Sequence, residues 1–163
     1  MPLLALIAAA GQAVGPVLSG STSGAISLTV ERAVVLLSNG VSVSGATAAV
    51  ATQSDEGDSF TVAVETAQGS THVVTLIIDN NSAQDASAIL ELNIPAGLDV
   101  EVDSGSDIRE AWLSRSQWLL EVPVGWSGTI PGVSGTLMLT IEPQDNAKPG
   151  FHVISGRVVQ TSG

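Results

Sequence analysis

From Ala25 onward, apolar side chains alternate with polar or small ones, the period of a strand rather than of a helix. In AISLTVE, residues 25–31, Ile26, Leu28 and Val30 share one face. VSVSGATAAVA follows, with Val41, Val43 and small residues that suit a close-packed or covered strand. After the acidic turn DEGD (55–58), SFTVAVETA sets Phe60, Val62 and Val64 against Thr61, Ala63 and Glu65. Gln68-Gly69-Ser70 reads as a turn into the β-branched run THVVTLIID, which ends at the turn cluster Asp79-Asn80-Asn81-Ser82. ASAILELNIPAGLDVEV supplies two short strands broken at Pro95-Ala96-Gly97, and WLLEVPV, TLMLTIEP and GFHVISGRVVQ complete the set. Short strands at nearly regular spacing, with turn residues between them, predict an all-β chain folded as an antiparallel sandwich.

Helix signals are few. Leu3–Val14 is rich in Ala and Leu and could form a short helix before Gly15-Pro16 stops it. SDIREAWLS (106–114) reads equally as a turn or two of helix capped by Ser106, or as an irregular loop carrying Trp112 into the core. The division that follows is an apolar arm over residues 1–24 and a sandwich domain over 25–163.

The stretch VVTLIIDNNSAQDASAILELNIPAGLDVEV, followed by WLLEVPVG, GTLMLTIEPQDNAKPG and FHVISGRVV, resembles the Ig-like β-sandwich modules of bacterial, archaeal and phage surfaces. The marks are Asn80, Asn81 and Ser82 at a strand end, Ile94, Pro95, Gly97, Leu98 and Val100 in a strand pair, and Pro149, Gly150 and Phe151 leading into the last strand. The resemblance covers residues 72–160 and leaves the first 70 outside it. It implies an Ig-like or jelly-roll-type sandwich and a structural role as spacer, adhesive unit, filament subunit or virion decoration, without choosing among them.

Composition narrows the partners. Sixteen acids against five bases give a net charge of −11 over 163 residues, which excludes a phosphate backbone as a natural ligand. Cysteine is absent, so no disulfide, thiol nucleophile or thiolate metal site is available. Before Glu31 there is no charge at all. The apolar run Leu3–Ala10 is far shorter than the roughly 20 residues that cross a bilayer, so no transmembrane span is expected. It has the apolar centre of a secretory signal but not its basic start, because Arg32 is the first basic residue. The stronger expectation is an assembly arm, whose contact residues would be Leu3, Leu4, Leu6, Ile7, Val14, Val17 and Leu18, joined by Trp126 from the loop VGWSG.

Candidate chemistry is sparse. Asp99, Glu101 and Asp103 alternate in DVEVD, so a strand sets their carboxylates on one face roughly 6.6 Å apart, and Asp107 follows across a turn. Such a row invites a hard cation, and calcium is the candidate; a solvated edge that discourages sheet-to-sheet pairing is the plainer alternative. DEGD is a weaker calcium candidate. His72 and His152 lack neighbours for a metal or a triad and read as surface or half-buried sheet residues. No serine sits in a G-x-S-x-G elbow, and no Gly-rich segment ends in Gly-Lys-Ser/Thr, so the chain reads as no enzyme and needs no cofactor. Asn80-Asn81-Ser82 fits N-x-S, which could carry a glycan on Asn80 or make an Asx turn.

These features lead to the expectation of a non-enzymatic structural subunit, homo-oligomeric or bound to a major capsid protein. The first reading is a virion capsid decoration or cement protein whose arm clasps its neighbours; Met1 and the missing cysteines suit a coat made in the cytoplasm. The alternative is an extracellular filament subunit at the cell surface, joined by donor-strand exchange. An adhesin module is the third reading.

Overall fold

The computed structural model describes residues 32–105, 107–123 and 135–161. Ten strands make up the fold: β1 (Val34–Gly45), β2 (Ala49–Gln53), β3 (Ser59–Thr66), β4 (His72–Asn80), β5 (Ala86–Asn93), β6 (Leu98–Ser104), β7 (Arg109–Ser114), β8 (Gln117–Val122), β9 (Gly135–Pro143) and β10 (Gly150–Gln160). They form two antiparallel sheets, one of four strands in the order β1-β4-β9-β6 and one of six in the order β2-β3-β10-β5-β8-β7. No described residue is helical, and none of the described segments is a helix long and apolar enough to cross a membrane. The expected all-β sandwich is therefore the observed one.

Period two in the sequence becomes inside and outside in the fold. On β4, Val74, Leu76 and Ile78 are fully buried, while Val73, Thr75 and Ile77 between them are only half-buried. Leu137, Leu139 and Ile141 repeat the pattern on β9, and Val62, Val64, Leu90, Leu120 and Ile154 answer from the six-stranded sheet. Each such side chain contributes about 1.5–3 kcal/mol of burial, so the inner rows supply most of the drive to fold. Most connections cross between sheets, and only β2–β3 and β7–β8 are hairpins within one sheet.

Three departures from the sequence reading have local causes. VVLLSNGVSVSG is one strand with a bulge: Leu36 pairs with Ile78 and Val41 with Leu76, which leaves residues 37–40 opposite Ile77 alone. Asn39 takes a positive φ of 58° there, and a Cβ on Gly40 would stand 2.7 Å from the Leu37 carbonyl oxygen. Gln53 donates from Nε2 to the Leu37 carbonyl at 2.9 Å, and Leu36 N–H donates to Gly57 O at 2.8 Å, so the β2–β3 hairpin satisfies the bulge.

The second departure is REAWLS, which is strand β7 and not a helix or a core-directed loop. Arg109, Ala111 and Leu113 alternate with Glu110 and Trp112, and β8 offers a ladder partner from Glu121 to Gln117. Pairing with β8 outweighs the weak helix preference of so short a segment. The third concerns Trp112 itself, which stays 69% exposed although it lies opposite Trp118, which is 6% exposed.

Gly156 sets the spacing at the middle of the six-stranded sheet. A Cβ there would stand 2.4 Å from Phe60 Cζ and 2.8 Å from Leu92 Cδ2. Gly156→Ala is expected to cost about 1–3 kcal/mol through overpacking, read as a lowered urea midpoint. Adding Phe60→Leu to that variant should recover part of the loss; strictly additive losses in the double variant would show that the ring is not what the glycine accommodates.

Candidate functional site

β6 and β7 are end strands of their sheets, and the inward side chains they carry are less buried than those of their ladder partners. Ladder partners on one face share a side, so Val100 and Val102 point inward beside Ile141 and Leu139. Yet Ile141 and Leu139 are fully buried, and Val100 and Val102 are only half-buried. Across the gap, Glu110 and Trp112 point inward beside Leu120 and Trp118. The flank thus presents two half-buried valines and an exposed indole that the opposite sheet does not cover.

Both ends of this flank are tied. Arg115 in the β7–β8 turn donates from Nη2 to the Leu98 carbonyl at 3.0 Å and lies 3.9 Å from Asp99 Oδ1. At the other end the Ser104 N–H donates to the Glu110 carboxylate. Glu110 Oε2 is nevertheless buried with no hydrogen-bond partner. Burial first and the Asp103 charge second push the Glu110 carboxyl above the ordinary glutamate range, and the Ser104 N–H opposes them in part.

Asp99, Glu101 and Asp103 do share the outward face of β6, as their alternation predicts, and Asp107 sits in the β6–β7 connection. Asp99 is already engaged, accepting from Gln144 Nε2 at 2.6 Å. A flat strand face keeps the three carboxylates spread, and among the described residues no three His, Cys, Asp or Glu side chains converge as metal ligands. What the structure assembles from these residues is an acidic strand edge beside an apolar gap. In DEGD, Asp58 is likewise committed, to Arg32, to Ser54 Oγ at 2.9 Å and to Ser59 Oγ at 3.1 Å. The arm residues Leu3, Leu4, Leu6, Ile7, Val14, Val17 and Leu18, together with Trp126, lie outside the described residues.

Asn80 is not a glycan acceptor in this fold. It is 1% exposed, and its Nδ2 group donates toward the carbonyls of Gln84 at 2.9 Å and of Val122 and Pro123 at 3.1 Å. Its Oδ1 accepts from the Ser82 N–H at 3.0 Å, an Asx turn. The side chain therefore joins the end of β4 to the end of β8, one sheet to the other. His72 also differs from expectation: it is fully buried, with Nε2 2.9 Å from Thr47 Oγ1 and 3.0 Å from Glu65 O. His152 is half-buried and meets the Lys148 carbonyl at 2.8 Å.

The outer face of the six-stranded sheet carries two apolar rows. Val50, Ala63 and Val153 stand side by side with Phe151 adjacent, and Val50, Phe151 and Val153 are 61%, 64% and 52% exposed. Val159, Ile89, Leu119 and Ala111 form the second row. Between them runs a groove of about 500 Å³, with Phe60, Leu92, Glu91, Gln117 and Arg157 among its lining residues. Arg157 Nε donates to Glu91 at 2.6 Å, which holds the Glu91 carboxyl below its ordinary range. Sequence reasoning missed the flank and both rows, because neither strand order nor which sheet is wider is written in a local pattern.

Fold and site together define an antiparallel two-sheet sandwich with uncovered apolar surface at one flank and on one outer face. Comparison with family models, curated proteins and solved structures found no match.

The two perturbed carboxyls pull stability in opposite directions with pH. Glu110, raised in the fold, stabilises while protonated and loses that contribution as pH rises through its folded value. Asp58 is lowered, chiefly by the Arg32 hydrogen bond, so its contribution is present at neutral pH and lost as pH falls through its folded value. Glu110→Gln is expected to raise the urea midpoint at neutral pH and leave it unchanged in acid, whereas Asp58→Asn should lower it at neutral pH and flatten the acid limb. An unchanged neutral midpoint for Glu110→Gln would contradict the assignment.

Proposed function

We propose that this chain is a non-enzymatic structural subunit of a large assembly, in the first place a virion capsid decoration or cement protein, with an apolar arm over residues 1–24 that contacts neighbours. The observation that carries the reading is the exposed apolar row Val50, Ala63, Val153 and Phe151 on an outer sheet face. Solvated sheet faces are ordinarily polar, and contiguous apolar side chains on one mark a contact surface. The strong negative charge keeps single copies apart until such a surface is covered. What the chain offers a partner, on this reading, is rigid sheets rather than a reacting group. On this reading the chain functions without a cofactor, and its partners are copies of itself or a major capsid protein.

The alternative reading, an extracellular filament subunit joined by strand exchange, draws on the end strands β6 and β7, whose flank leaves inward-facing side chains uncovered. Electron microscopy of the pure full-length chain separates the two readings: filaments favour the polymer, and dispersed copies favour an accessory subunit that needs a shell. In either case, deleting residues 2–24 is expected to abolish incorporation into the assembly. Phe151→Glu with Val153→Glu should weaken incorporation while changing folding stability by no more than about 0.5 kcal/mol per site, as surface substitutions do. Normal incorporation of the truncated chain would overturn the role of the arm.

A further inference from the structure

We propose that the free edge of β6 is a docking site for an extended segment of a different protein, one that alternates apolar and basic residues. The N–H and C=O of one strand residue point to the same side. Gly105 N–H bonds to Thr136 O on the β9 side, whereas Leu98 O and Ser104 N–H are taken from the opposite side, by Arg115 and Glu110. Even-numbered residues of β6 therefore address the free edge. Between the two tied ends, Val100 and Val102 hold out backbone donors and acceptors that no described residue meets. A strand laid there would complete a ladder of main-chain bonds in a window closed at both ends.

The side chains of that window specify its occupant. Inward, an added strand would meet Val100, Val102 and the exposed indole of Trp112, so every second residue must be apolar. Outward, it would run beside Asp99, Glu101 and Asp103, where opposite charges at cross-strand positions are favourable and like charges are not. Among the described residues Glu101 and Asp103 have no ion pair. A lysine or arginine at the outward alternate positions answers these strand carboxylates.

This chain cannot supply the segment. Its five bases are Arg32, Arg109, Arg115, Lys148 and Arg157, and no two are separated by a single residue. Its best unassigned strand-like run, AISLTVE over 25–31, alternates correctly but would bring hydroxyls and Glu31 to the acidic face. A second copy is thereby disfavoured, and the occupant is a basic strand of a partner protein. The inference rests on the assembly reading only for the existence of such a partner.

The test uses the full-length protein and three fluorescein-labelled nine-residue peptides: TVKVKVKVT, its glutamate counterpart TVEVEVEVT, and one containing residues 25–31 of this chain. Anisotropy titrations at low salt are expected to show saturable binding of the lysine peptide, at least tenfold tighter than either other. Glu101→Lys with Asp103→Lys should abolish it, Trp112→Ala should weaken it about fivefold, and Gln68→Ala, in the exposed turn between β3 and β4, should leave it unchanged. Circular dichroism melts confirm that each variant is folded. Equal binding of the lysine and glutamate peptides, preference for the 25–31 peptide, or full affinity in the charge-reversed variant would each overturn the proposal. These outcomes report on the edge alone, whereas microscopy of the pure chain reports on assembly, so the two readings can fail separately.

Discussion

Four strands packed on six leave part of the wider sheet without a partner, and much of this molecule follows from that mismatch. The inner rows of β4 and β9 in one sheet, and of β3, β10, β5 and β8 in the other, face one another and are buried over most of their length. At β7 the opposing sheet has run out, so Trp112, pointing the same way as buried Trp118, meets solvent. The same geometry leaves Val100 and Val102 half-covered on β6. An exposed tryptophan on an inward face is costly in apolar hydration, which is why it reads as a place where something else binds.

The sandwich compensates for its open flank with polar ties. Arg115 and Glu110 close the two ends of the β6 edge, each meeting a backbone group that would otherwise invite indiscriminate pairing. Asn80 performs the equivalent task inside, holding three carbonyls of the β4–β5 connection and the β8 end at hydrogen-bond distance from one buried amide. Buried amides of this kind stabilise only while every group is satisfied, so the node also fixes how the two sheets meet. Among the described residues Glu110 Oε2, Gln53 Oε1 and His72 Nδ1 are the buried side-chain atoms left without a hydrogen-bond partner.

Much of the strand content was legible from the chain alone. SFTVAVETA and TLMLTIEP became β3 and β9 because their alternation leaves one face fit for burial, and THVVTLIID and GFHVISGRVVQ became β4 and β10 although they carry apolar residues on both faces. REAWLS did not declare itself, since its single tryptophan and its charges fit a short helix as well as an edge strand, and only the presence of β8 decides. The spacing of Asp99, Glu101 and Asp103 announced a common face but not what that face looks upon. Asn80 illustrates the same limit: N-x-S is a surface signal in isolation, and burial under the β8 end removes it from the surface.

By itself, then, the sequence determined the element type wherever period two was sustained, the acidic character of the surface, and the absence of thiol chemistry, because each depends on neighbours along the chain or on composition. Tertiary structure decided which strands end their sheets, where the wider sheet overhangs, and which polar side chains become interior nodes. Those outcomes depend on pairings between residues far apart in sequence, such as Glu110 with Ser104 across the flank or Asn80 with Val122, and no local pattern encodes the free energy of meeting a distant partner.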